Sequence, residues 1–263
     1  MKENILKVDK SILGQEEQTG LLRLNLCAAL LHAAQAVVVV LIANNFTLPI
    51  SGFFWNDAPN ARLDPNRLVR IIDFRVSYGL VAFLGLSAVF HLLVSVGWGR
   101  NRYYEELSRE QNRFRWVEYS LSSTVMVLLI AMVFGISDVA ALLGLAGSNM
   151  AMILFGWIME VTNKAGQKVW WTPFLFGCLV GCIPWVALFW YLVGPSGEMP
   201  SFVYAIFLSI FVLFNLFALN QFLQYRRVGR WRDYLYGERV YLVLSLTAKS
   251  ALAWQIFGNT LVS

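Results

Sequence analysis

A lysine, Lys249, stands near the middle of an apolar run from Val240 to Ser263, VYLVLSLTAKSALAWQIFGNTLVS. An ammonium at that depth of a membrane helix costs at least ~2.5–3.5 kcal/mol on insertion scales, so by default it marks function and needs a partner. Two readings are open for it: a structural ion pair, or a desolvated amine able to condense with an aldehyde. Snorkelling to an interface is disfavoured, because apolar residues extend for about ten positions on either side.

The best partner is Glu118, in RFRWVEYSLSST. On a helix Ser122 lies one turn further along the same face, and Arg115 nearly one turn before. Glu118 either neutralises the buried cation or sits at a helix end in loop water, where acidic residues usually stay. Ser245 is one turn before Lys249, so its hydroxyl can bond the amine or, as is common for serine in membrane helices, its own backbone. Asn25, His32 and Gln35 form one stripe, and Ser87 and His91 another. The two histidines of the chain are thus both intramembrane, which suggests a buried polar pocket or a proton acceptor. Neither has a Cys or carboxylate at ligand spacing, so no metal site is expected.

Glu160 and Glu238 fall near the ends of two further apolar runs, where with Asn25 and Arg115 they either line a polar cavity or sit at the interface. Trp157, Trp185, Phe214, Phe217 and Trp254 are positioned to wall a flat apolar ligand or simply to pack. Gly177-x-x-x-Gly181, beside Cys178 and Cys182, gives a small-residue face for close helix contact, within the chain or at a dimer seam. The three cysteines, Cys27 included, read as packing residues.

The elements that must position these residues are membrane helices. The chain has 263 residues, 58% hydrophobic and 14% charged, too apolar for a soluble domain of this length. Seven runs approach or exceed the ~20 residues that cross a bilayer: about 21–44, 71–98, 115–136, 139–162, 171–193, 201–225 and 238 onward. The third helix has room to begin earlier, inside the polar stretch before it. The expected fold is an all-α seven-helix bundle, one domain over 1–263, with a short arm at 1–20 in which Ile5, Leu6, Ile12 and Leu13 form a weak interfacial helix or a tail. Within the loop 45–70, TLPISGFFW has strand-like residues around a Pro–Ser–Gly turn signal, which predicts a small β-hairpin. Gly194-Pro195-Ser196-Gly197 predicts a tight turn.

The net charge of +5 sits in short loops, so it indicates topology and not nucleic-acid binding. Sixteen Lys and Arg fall on the N-terminal side of the spans, against four (Arg62, Arg67, Arg70 and Arg75) on the other. The positive-inside rule then puts the N-terminus in the cytoplasm and the C-terminus outside the cell membrane.

Seven helices, a mid-helix lysine on the last and a carboxylate on the third resemble the microbial rhodopsins. The inverted orientation narrows the resemblance to the heliorhodopsins. So do R-W-V-E-Y-S at Arg115 to Ser120, S-L-T-A-K-S-A at Ser245 to Ala251, the paired His32 and His91, and the long first external loop. The resemblance covers the whole chain. It implies all-trans retinal on Lys249 as a protonated Schiff base, with Glu118 as counterion and Ser245 as hydrogen-bond neighbour. Ser87, His32, Gln35 and His91 belong to the polar site around it, with Ser122, Phe214 and Trp254 as further cofactor neighbours. Asn25, Arg115, Glu160 and Glu238 match the family's cytoplasmic-side cavity.

The resemblance further implies a homodimer to which the external hairpin contributes, and a light-sensing photoreceptor, not an enzyme, that signals to an unknown cytoplasmic partner. Outward proton pumps of the bacteriorhodopsin kind place a second carboxylate one turn before the retinal lysine, where this chain has Ser245. They place a donor carboxylate eleven residues after the counterion, where it has Leu129. The expected protein therefore senses light with a slow photocycle and does not pump. The alternatives are a light-driven proton or ion transporter or channel, and a light-independent transporter gated by Lys249 and Glu118.

Overall fold

Seven helices long and apolar enough to cross a membrane form a bundle in the computed structural model, which describes residues 13–55, 58, 61–62, 64, 67–164, 166–194 and 199–260. They are α1 (Gln15–Ile42), α2 (Val76–Leu93), α4 (Arg113–Val133), α5 (Val139–Thr162), α6 (Thr172–Leu192), α7 (Ser201–Arg226) and α8 (Tyr234–Thr260). A shorter helix, α3 (Gly97–Leu107), connects α2 to α4. Most of the N-terminal arm and of the turn expected at 194–197 lies outside the described residues.

Local chemistry sets the ends. Asn112 caps α4 by accepting a hydrogen bond from the Arg115 amide, and Asp138 caps α5 through the Ala141 amide. Gly135, at φ +90°, turns the chain after α4 where a side chain would be strained. Arg227, at φ +51°, is the left-handed cap of α7. The second span starts later than the apolar run suggests: Leu68–Arg75 is a strand, and Trp98 belongs to α3. Most of the polar stretch before α4 belongs to that separate helix, and α4 itself begins at Arg113, inside the stretch as expected. The last helix begins at Tyr234, earlier than its apolar run.

The hairpin forms, but its turn is elsewhere. Thr47–Phe53 is one continuous strand, β1, antiparallel to β2 (Leu68–Arg75). The Pro–Ser–Gly signal falls within β1, where the register shifts between Ile50 and Ser51. The extra residue of the bulge is Ile71 on β2, and every residue of β1, including those that read as a turn, keeps a partner. Ser51 is held from outside the hairpin, its amide donating to the Ser137 carbonyl at 2.8 Å in the α4–α5 loop.

Two apolar clusters bracket the middle of the bundle. The larger, at the hairpin end, joins Leu80, Phe83, Leu84, Leu129, Ile130, Ile206 and Leu252. The smaller, at the opposite end, joins Leu21, Val94, Tyr103, Leu107, Phe114 and Leu235. The outer surface is apolar, with Leu30, Leu41, Leu179, Trp190 and Leu208 more than half exposed, as lipid contact requires. Cys27, Cys178 and Cys182 are all exposed, and Cys178 also borders the cavity between the helices. The Gly177/Gly181 face packs internally: a Cβ at Gly181 would lie 2.5 Å from Met152 Sδ on α5.

Candidate functional site

Between the two apolar clusters the buried polar residues meet. Lys249 on α8 donates to Glu118 Oε1 on α4 at 2.5 Å, with side-chain exposures of 7% and 5%. Ser87 on α2 donates to the same oxygen at 2.7 Å. Two donors on one carboxylate oxygen, in a low-dielectric surround, fix the anion opposite the amine. Glu118 is therefore not in loop water. The Lys249 ammonium also lies 5.2 Å from the centre of the Tyr119 ring, within cation–π range.

His32 and His91 stack with ring centroids 5.9 Å apart. His91 Nδ1 is paired with Asn25 Oδ1 at 2.8 Å, while His91 Nε2 and both ring nitrogens of His32 lack protein partners although buried. Buried polar atoms without partners are rare and mark a place for water or a moving proton. Gln35 reaches Ser250, the residue after Lys249, at 2.8 Å. The Ser122 and Ser245 hydroxyls are buried without partners.

A cavity, partly open to the surroundings, lies between α4, α5, α6, α7 and α8 and has Lys249 in its lining. Its walls include Phe83, Trp116, Tyr119, Ser122, Met126, Met152, Gly156, Phe214, Phe217 and Tyr241. The walls are mostly aromatic and aliphatic, with one amine, Lys249, among them. That chemistry fits an elongated apolar aldehyde held at its reactive end. Trp254 does not join it: it is 43% exposed and packs edge-on against Phe257. Five positions beyond Lys249 is about 140° further round a helix, which turns Trp254 outward.

A second polar cluster lies toward the α1-start end. Arg115 pairs with both Glu160 on α5 and Glu238 on α8, all three buried. Asn112 donates its side-chain amide to Glu238 at 2.9 Å and its backbone amide to Glu160, and the Tyr234 hydroxyl donates to Glu160 at 3.3 Å. The Arg115 guanidinium stacks 4.1 Å from the Tyr241 ring and 4.6 Å from Trp116. A smaller cavity, about 370 Å³, is lined by Asn25, His91 and Glu118 as well as by Arg115 and Glu238, so it joins the two clusters. Sequence reasoning missed Asn112, Trp116, Tyr119 and Tyr241. Asn112 carries a helix-cap signal, and Tyr241 lies two turns before Lys249 on the stripe through Ser245. Among the described residues, no three His, Cys, Asp or Glu side chains gather as metal ligands.

A seven-helix membrane bundle with a lysine–carboxylate pair between its third and last spans has the fold of the microbial rhodopsins. The structure resembles the transmembrane domain of Salpingoeca rosetta rhodopsin phosphodiesterase (TM-score 0.64, 13% identity, 91% of this chain and 84% of that one). It also resembles xanthorhodopsin, a light-driven ion pump with dual chromophore (0.64, 14%, 94% of each chain). Exiguobacterium sibiricum rhodopsin is a third likeness (0.60, 12%, 93% of this chain and 94% of that one). No curated protein matches the sequence. The heliorhodopsin family model matches residues 21–261, and the chain belongs to that family. It is a multi-pass membrane protein of a family of retinal proteins.

Proposed function

We propose that this chain is a light-sensing photoreceptor that carries all-trans retinal on Lys249, with Glu118 as the counterion. The observation that carries the reading is the buried Lys249–Glu118 pair whose amine lines an aromatic cavity. Retinal supplies light absorption and a double bond that isomerises. The residues of the chain do the rest. Phe214, Phe217, Trp116 and Met126 exclude water along the cavity, and Glu118 and Ser87 hold a proton on the Lys249 nitrogen. Separating that proton from Glu118 costs far more in this surround than in water. The unpartnered nitrogens of His32 and His91 stand ready to take it. The smaller cavity then gives the change a route to Arg115, Glu160 and Glu238, at the end that the charge bias makes cytoplasmic.

The same reading makes the protein non-pumping with a slow photocycle, because Ser245 and Leu129 stand where pumps carry carboxylates. Leu129 is 1% exposed, within the apolar cluster. A homodimer seated through the hairpin, with β2 residues Ile71 and Ile72 more than half exposed, and a cytoplasmic signalling partner complete it. The N-terminus is cytoplasmic and the C-terminus extracellular. Light-driven ion transport is a second reading, favoured by the polar cavity that joins Glu118 to Arg115.

The test is colour. Purified protein given retinal absorbs visible light, and Lys249→Ala does not; a colourless wild type sinks the reading. Light-induced pH or current changes in cells would move the conclusion to the transport alternative.

A further inference from the structure

A third cavity, of about 490 Å³, opens at the α1-start end, away from the chromophore site. Three separate segments build it: the turn after α3, the α5–α6 loop, and the turn from α7 through the 3-10 turn Gly229–Arg232 into α8. Its charged lining is Lys164, Arg227 and Arg232 against one carboxylate, Glu110. Among the described residues only Arg227 has a carboxylate partner in this wall, Glu110 at 3.6 Å, so two cationic charges face the cleft uncompensated. Trp231 and Tyr234 add aromatic surface.

The wall is held in place. Trp231 Nε1 donates to Asn220 at 2.6 Å, and Gln224 donates to the Tyr234 carbonyl at 3.3 Å, which ties the α7–α8 turn to α7. Asn163 exchanges bonds with the Trp170 backbone at 2.6 and 3.2 Å, which closes the α5–α6 loop. A concave, pre-formed, cationic wall focuses positive potential and selects anions. The Arg232 guanidinium and the Lys164 ammonium, with the Arg227 guanidinium beside them in its 3.6 Å pair with Glu110, match tetrahedral phosphate oxygens best.

We infer that this cleft binds a phosphate-bearing anion, either a soluble phosphate compound or the headgroup of an anionic lipid. Its floor leads inward. Tyr234 lines the cleft and donates to Glu160, the partner of Arg115, and the cavity beyond Arg115 reaches Glu118. Occupancy of the cleft is thereby coupled to the chromophore, a coupling that rests on the photoreceptor reading, whereas the binding does not.

The experiment uses the full chain in zwitterionic nanodiscs, titrated calorimetrically with pyrophosphate, alongside native mass spectrometry of protein exposed to phosphatidylglycerol. Lys164 and Arg232 are exposed, so Lys164→Gln with Arg232→Gln removes no buried contact and only the 3.4 Å bond of Arg232 to the Arg227 carbonyl, and Arg100→Gln, outside the cleft, is the control. Saturable pyrophosphate binding weakened at least tenfold in the double variant, but not in Arg100→Gln, establishes the soluble ligand. Phosphatidylglycerol retention lost only in the double variant establishes the headgroup. Equal behaviour of wild type and double variant in both assays overturns the inference. Loss of pigment with binding retained would instead count against the photoreceptor reading alone. With pigment present, ligand should shift the absorption band or the photocycle rate of wild type and leave Tyr234→Phe unmoved.

Discussion

Lys249 and Glu118 meet at 2.5 Å across the gap between α8 and α4, and Ser87 adds a second donor to the same carboxylate oxygen. No other carboxylate among the described residues bonds the amine, so the charge balance at Lys249 rests on Glu118. Glu118→Gln should shift the pigment's absorption strongly or let the Lys249 nitrogen lose its proton near neutral pH. Ser87→Ala should move the band by less and in the opposite direction, since losing a donor worth about 1.5–3 kcal/mol concentrates the Glu118 charge and leaves the ion pair intact. Absorption spectra across pH measure both, and a wild-type spectrum for Glu118→Gln would remove it as counterion.

Arg115 should be the most costly single loss outside the chromophore site. It is buried between two carboxylates, and removing one partner of a buried charge pair destabilises by about 3–5 kcal/mol. Arg115→Gln should lower Tm by several degrees. Adding Glu160→Gln should recover part of the loss, because the carboxylates left behind, not the missing arginine, carry the penalty. Thermal unfolding in detergent reads the pair of variants, and strict additivity would contradict the network.

The residues with charge were legible before the fold was, and for a physical reason. A lysine or histidine inside an apolar run is costly, so its presence alone marks the site, and Glu118 follows as the available compensation. The span limits were legible from hydropathy to within a few residues for α5, α6 and α7. What stayed hidden depends on distant chain. Pro49, Ser51 and Gly52 carry turn chemistry, yet Ser51 bonds Ser137 on another loop, and that contact keeps β1 extended. Trp116, Tyr119 and Tyr241 wall the cavity, but aromatic residues in membrane helices are so common that identity alone does not separate wall from surface. Trp254 shows the reverse error: helical phase decided its place, not its chemistry.

Alkaline pH should act through α3. Burial pushes the Tyr103 phenol up to about 12, partly offset by the Arg115 charge. The unfolded phenol ionises near 10, so the folded state holds the proton over a window in which the unfolded state has lost it. That stability is constant below pH 10 and falls as pH rises from 10 toward 12, by about 1.4 kcal/mol per unit. Tyr103→Phe should flatten this part of the loss, measured as Tm against pH; an unchanged slope would show that Tyr103 is not its source.

Gly156 should control entry of the chromophore by its lack of a side chain. A Cβ there would stand 2.5 and 2.8 Å from the Trp116 ring, so α5 approaches α4 only because the position is glycine. Trp116 in turn lines the cavity and lies under the Arg115 guanidinium. Gly156→Val must push the indole into the cavity or away from Arg115. Either movement should cut the yield of pigment with added retinal several-fold, while Gly147→Val, at a glycine with nothing within 4 Å, should leave it near wild type. Absorbance per unit protein separates the two, and full pigment in Gly156→Val would show that Trp116 yields without cost.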